Sequence, residues 1–94
     1  MSDNLKPVPE GSGYVIRQNG ELIGKITYVP ANEGKVWIVN HTYVSPQHRG
    51  QNFAASLVEA IVDEARQKGV KIDPACSYVA AQFKRRKDYA AIQA

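Results

Sequence analysis

A chain of 94 residues can build one domain around a single core and has no room for a second. With 44% apolar and 22% charged side chains it reads as globular, and a net charge of +3 is too small to make nucleic acid a chain-wide partner. One cysteine rules out an internal disulfide, the two histidines lack the companions of a zinc site, and no apolar run suits a secretory signal or a membrane span, so a metal-free cytoplasmic protein is expected.

Residues 1–12 are polar and Pro-rich and are expected to form a flexible arm ahead of a single domain over residues 13–94. Asn19-Gly20 tolerates positive φ at both central turn positions, which predicts a hairpin between Tyr14–Gln18 and Glu21–Val29. After a reversal over Pro30–Gly34, Lys35–Val44 reads as a third strand, with Trp37, Val39, His41 and Tyr43 on one face and Val36, Ile38, Asn40, Thr42 and Val44 on the other. Apolar groups on both faces make it central.

From Asn52 or Phe53 to Lys68 the period becomes helical, with Ala54, Leu57, Val58, Ile61, Val62 and Ala65 on one stripe. Asn52 is expected to be the N-cap, and Gly69 the residue that ends the helix. Val70–Val79 reads as a short strand interrupted by Pro74, which cannot donate to a ladder and implies a bend or an edge, and a strand–helix–strand crossover is almost always right-handed, which places it parallel to Lys35–Val44. Ala80–Ala94 favours helix and carries the basic run Lys84-Arg85-Arg86-Lys87, by default a solvated face.

The loop between the third strand and the long helix is the natural ligand site, because a strand feeding a helix through a Gly-containing loop aims backbone N–H groups and the positive helix end at one point suited to phosphate. Its wording, Gln47-His48-Arg49-Gly50-Gln51-Asn52-Phe53, resembles the acyl-CoA loop of the GNAT superfamily, the Gcn-related N-acetyltransferases, which reads Q/R-x-x-G-x-G/A after a strand. Gln47, Arg49 and Gly50 fit, and Asn52 departs, since Gly or Ala there lets the backbone pass close to the phosphates. With His41–Pro46 before the loop and Lys71–Val79 after the helix, the resemblance extends over about residues 20–89 and is to very small, stand-alone GNAT-like proteins. It implies an α+β fold with antiparallel N-terminal strands, a βαβ parallel unit and a C-terminal helix. It also implies an acetyl-CoA-dependent enzyme that acetylates an amine on a small molecule or a protein. Gln47, His48, Arg49, Gly50, Gln51, Asn52 and Phe53 would hold the cofactor's phosphates, and Tyr43 and Val44, on a strand splayed from its parallel neighbour, its pantetheine arm.

The superfamily often uses a tyrosine on the helix after the last parallel strand as general acid, and Ala80–Arg85 offers none, so Tyr78 or Tyr89 would have to substitute. Cys76 lies where a thiol would be near a thioester, and His41, the residue type best suited to general-base work, is the candidate base beside it. The structural alternatives are a core cysteine and a histidine bonded within the sheet. Ordinary members have helices before the third strand that wall the acceptor site, whereas here 34 residues precede Lys35. The acceptor is then presented by a large partner or enclosed by a second copy of the chain, a homodimer. The rival reading is a non-enzymatic CoA-binding or protein-interaction module, and a nucleic-acid binder using residues 84–87 is a third, with no recognised motif.

Overall fold

The computed structural model describes residues 5–94, so the expectations that rest on residues 1–4 lie outside the described part. Five strands form one mixed sheet in the order of the sequence: β1 (Val8–Pro9), β2 (Gly13–Gln18), β3 (Glu21–Ala31), β4 (Val36–Val44) and β5 (Lys71–Pro74). The first four pair antiparallel and β5 lies parallel to β4. Helix α1 (Phe53–Lys68) crosses over between β4 and β5, and α2 (Ser77–Arg85) follows. Val8 and Pro9, expected in a loose arm, instead pair with Val15 and Tyr14.

Asn19 and Gly20 have φ of 53° and 82°, the pair of positive values that matches a two-residue turn to the twist of its strands. Helix α1 ends as its sequence requires: Gly69 is left-handed at φ 69°, and the N–H of Val70 returns to Ala65 O at 2.9 Å. Leu57, Val58, Ile61, Val62 and Ala65 are buried against Ile16, Ile23, Ile26 and Val39 of the sheet. Val79 and Phe83 of α2 join the same core, so both helices cover one face.

The alternation expected along β4 breaks at Asn40. Thr27 pairs with His41 and Tyr28 with Val39, which leaves Asn40 as an extra residue, a β-bulge that inverts the phase of every later side chain. Trp37 and Val39 therefore share the helix face with Thr42 and Val44, opposite Ile26 and Gly24, while His41 and Tyr43 turn to the other face. β5 is shorter than expected. It ends at Pro74, which has no N–H to extend the ladder, and Ser77, Tyr78 and Val79 begin α2 rather than continuing a strand.

Candidate functional site

β4 pairs with β5 only over Val36–Val39, so from Asn40 onward the edge that faced β5 has no strand partner and the parallel pair opens into a cleft. β4 then enters the loop at Ser45, which is anchored to the sheet by its N–H on Ile23 O at 2.7 Å. Pro46–His48 makes one tight helical turn. Gly50 follows at φ 87° and Asn52 at φ 63°.

Asn52 was expected to cap α1 with its side chain and makes no such bond. It is left-handed, a conformation that Gly takes freely and Asn tolerates better than most residues, so it fills the second Gly/Ala position of the loop by backbone shape. The first N–H of α1 to find a carbonyl is that of Ser56, on Asn52 O at 3.1 Å. The N–H groups of Phe53, Ala54 and Ala55 have no partner within the helix, and the positive helix end adds to them.

These elements enclose a cavity of about 180 Å³ lined by Val44, by His48, Arg49, Gly50 and Asn52 of the loop, by Phe53 and Ala54 of α1, and by Tyr78 of α2. Of the expected cofactor residues, Tyr43, Gln47 and Gln51 do not line it; Tyr43 borders the cleft by its backbone while its side chain is exposed on the helix-free face. Ala54 was not singled out for the site because its position on the apolar stripe reads only as core. His48 stacks at a tilt on Phe53, with ring centroids 6.2 Å apart, and its Nδ1 is buried without a hydrogen-bond partner, a vacancy that a bound polar group would satisfy. Arg49 donates from Nε to Val44 O at 3.4 Å and stays exposed at the rim.

Across the cleft, the N–H of Cys76 donates to Val39 O at 3.0 Å and its half-buried Sγ to Thr42 Oγ1 at 3.6 Å. Cys76 thus sits at the entry to α2, not on a strand. Burial pushes the thiol up, but the Thr42 hydroxyl and the backbone N–H groups of Val79, Tyr78 and Thr42 outweigh it and hold the thiol below its ordinary value. His41 cannot assist it: the bulge at Asn40 turns His41 to the opposite face from Thr42, and it is exposed there. Tyr89 is buried in the core at 1% exposure, whereas Tyr78 stands in the first turn of α2 and faces the cavity. Burial raises the Tyr78 phenol above its ordinary value, with the Arg85 charge and a bond from Gln82 pulling part of the way back. The basic run is split by the end of α2, and Arg86 is drawn into ion pairing with Asp88 at 3.2 Å.

An opened parallel pair, a loop with two left-handed residues and a helix start with free N–H groups together make a site whose geometry suits an extended, phosphate-bearing ligand. A family model described as GCN5-related N-acetyl-transferase matches residues 13–92, and the chain belongs to that family. It is 36% identical over 64 residues to N-acetyltransferase 8B of Rattus norvegicus, a match that takes in 63% of this chain and 29% of that protein, so the chain spans less than a third of that relative's length. The fold resembles the NMR solution structure of a GCN5-like protein from Staphylococcus aureus, with a TM-score of 0.78 at 23% identity over 99% of this chain and 91% of that one. It also resembles N-acetylglutamate synthase from Neisseria gonorrhoeae, solved with coenzyme A and N-acetyl-glutamate, with a TM-score of 0.61 at 21% identity over 85% of this chain and 23% of that one.

Proposed function

We propose that this chain binds acetyl-CoA in the cleft between β4 and α2 and transfers the acetyl group to an amine. The observation that carries the reading is the loop itself: free N–H groups at Phe53–Ala55, a left-handed Gly50 and the orphaned Nδ1 of His48 converge on one cavity. The cavity is smaller than a full ligand pocket, so it would hold part of the cofactor, with the remainder along the open edge of β4. Acetyl-CoA, when bound, supplies an activated thioester. Phe53, Ala54 and Ala55 offer backbone donors and Arg49 charge for the phosphates, and the edge of Asn40–Val44 that faces away from β3, beyond the end of β5, offers a strand edge for an extended arm. Tyr78 Oη holds the proton that a departing sulfur requires. Cys76 Sγ, held against Thr42 Oγ1 at the entry to α2, does not line the cavity itself and is the candidate nucleophile beside it, acting without His41.

No helix precedes β4 among the described residues, and of the exposed large apolar side chains Val8 and Tyr43 stand in one cross-strand row, through Val15 and Lys25, on the face that neither helix covers, with Val29 further along β3 on the same face. That uncovered apolar face suits an acceptor wall supplied by a partner or a second copy of the chain, in a reducing compartment such as the cytoplasm that suits a free thiol. The test is acetyl-CoA binding and turnover. Ligand at about a hundred times its dissociation constant stabilises a fold by roughly 2.7 kcal/mol, a rise in melting temperature of roughly ten degrees at this size. A Gly50→Val chain should lose most of that rise yet fold, since a Cβ at Gly50 meets no atom within 4 Å and only the positive φ is strained. An unmoved melting point in excess acetyl-CoA contradicts the cofactor assignment. Binding without thiol release in the presence of amines selects the non-enzymatic module, and selective acetylation of a free small amine by a micromolar monomer contradicts the shared wall.

A further inference from the structure

Gln82 and Ser45 are the two buried polar residues among those described, and Gln82 sits at 9% exposure amid Val79 and Phe83 on the packed side of α2. A buried amide costs free energy unless it is bonded, and an aliphatic side chain would fill that site at no such cost. The partner it has is one turn away: Gln82 Nε2 donates to Tyr78 Oη at 3.1 Å in partly buried surroundings. A phenol oxygen accepts and donates, and with its acceptor side taken by the amide its own O–H is free to point elsewhere. Tyr78 lines the cavity, and the cavity is the open direction.

Resting on the reading of Tyr78 as the proton-holding group, we propose that Gln82 is a positioning residue that holds the Tyr78 phenol with its proton turned into the cleft. The same bond serves both protonation states. While the phenol is neutral the amide fixes the oxygen's orientation, and when the proton leaves Oη for a base in the cleft the N–H stays on the phenolate. Gln82 gives up no proton itself. The charged and titratable groups that face Tyr78 are Arg85 on its own helix, Cys76 at the helix entry, and His48 and Arg49 across the cavity, and none of them carries a carboxylate. The amide is therefore the neutral contact that sets the direction of the hydroxyl.

The experiment is a pH titration of the full chain labelled at tyrosine Cζ, read by carbon NMR without ligand, with Tyr78→Phe assigning the Tyr78 signal among the five tyrosines. Replacing the amide in Gln82→Leu should raise the Tyr78 midpoint by about half to one unit, because the phenolate loses a donor. Gln82→Glu should raise it further, because a carboxylate accepts the hydroxyl proton and pulls it away from the cleft. An unchanged midpoint in both variants overturns the inference, and so does a fall in Gln82→Leu, which would mean that the phenol donates to the amide. Melting curves with and without acetyl-CoA on the same samples report separately on the cofactor reading. A melting point that ignores acetyl-CoA sinks that reading, whereas the direction of the Tyr78 shift decides the role of Gln82.

Discussion

Two side chains show how local chemistry sets the pH behaviour of the protein. Tyr14 Oη donates to Glu64 Oε1 at 2.6 Å, and burial together with the Glu64 charge pushes the phenol up to about 12. The folded chain thus keeps this proton where the unfolded chain, titrating near 10.0, releases it, so the stabilisation is complete below pH 10 and is lost between pH 10 and about 12. Urea unfolding should show the parent losing about 2 to 3 kcal/mol more than Tyr14→Phe across that window, and parallel losses would contradict the assignment. Cys76 moves the other way. Its alkylation by iodoacetamide should reach half-maximal rate at lower pH than free cysteine, and Thr42→Val should shift that midpoint up; a midpoint at or above that of free cysteine would return Cys76 to a packing role. Neither environment could be read from sequence, because both partners are far along the chain. Asn52 illustrates a different blindness: Asn is favoured both as an N-cap and in left-handed backbone, and nothing local separates the two.

At the scale of elements, what repeats was legible and what interrupts was not. The sixteen residues of α1 and the Asn19-Gly20 turn follow from period and turn chemistry alone. The bulge at Asn40 left no mark on an alternating strand, yet it decides that Thr42 and Val44 face the cleft and His41 does not. Pro74 interrupts the expected strand through its missing N–H, but β5 ends there rather than resuming beyond it, and that early end opens the cleft. Tight strand packing behind the site makes one prediction sharp. A Cβ on Gly13 would stand 1.9 Å from Ile26 O, so Gly13→Ala must force β2 from β3 and should cost about 3 kcal/mol in urea unfolding. A variant as stable as its parent would mean that the two strands do not approach so closely.

For the molecule as a whole, the sheet places its opening at the carboxyl end of β4, where the loop, the start of α1 and the start of α2 meet. The loop was legible because its backbone chemistry is written in a short run, Gln47 to Phe53; the far wall, with Tyr78 in the first turn of a helix, depended on where β5 stops. The central claim, that this meeting point holds acetyl-CoA, is tested most directly by amide NMR as acetyl-CoA is titrated into the nitrogen-labelled chain. The largest shifts are expected at Gly50 to Ala55 and at Asn40 to Val44, the free donors of the helix start and the open edge of β4. Shifts centred instead on the basic stretch at residues 84–87 or on the helix-free face around Val29, or no shifts at saturating ligand, would contradict it.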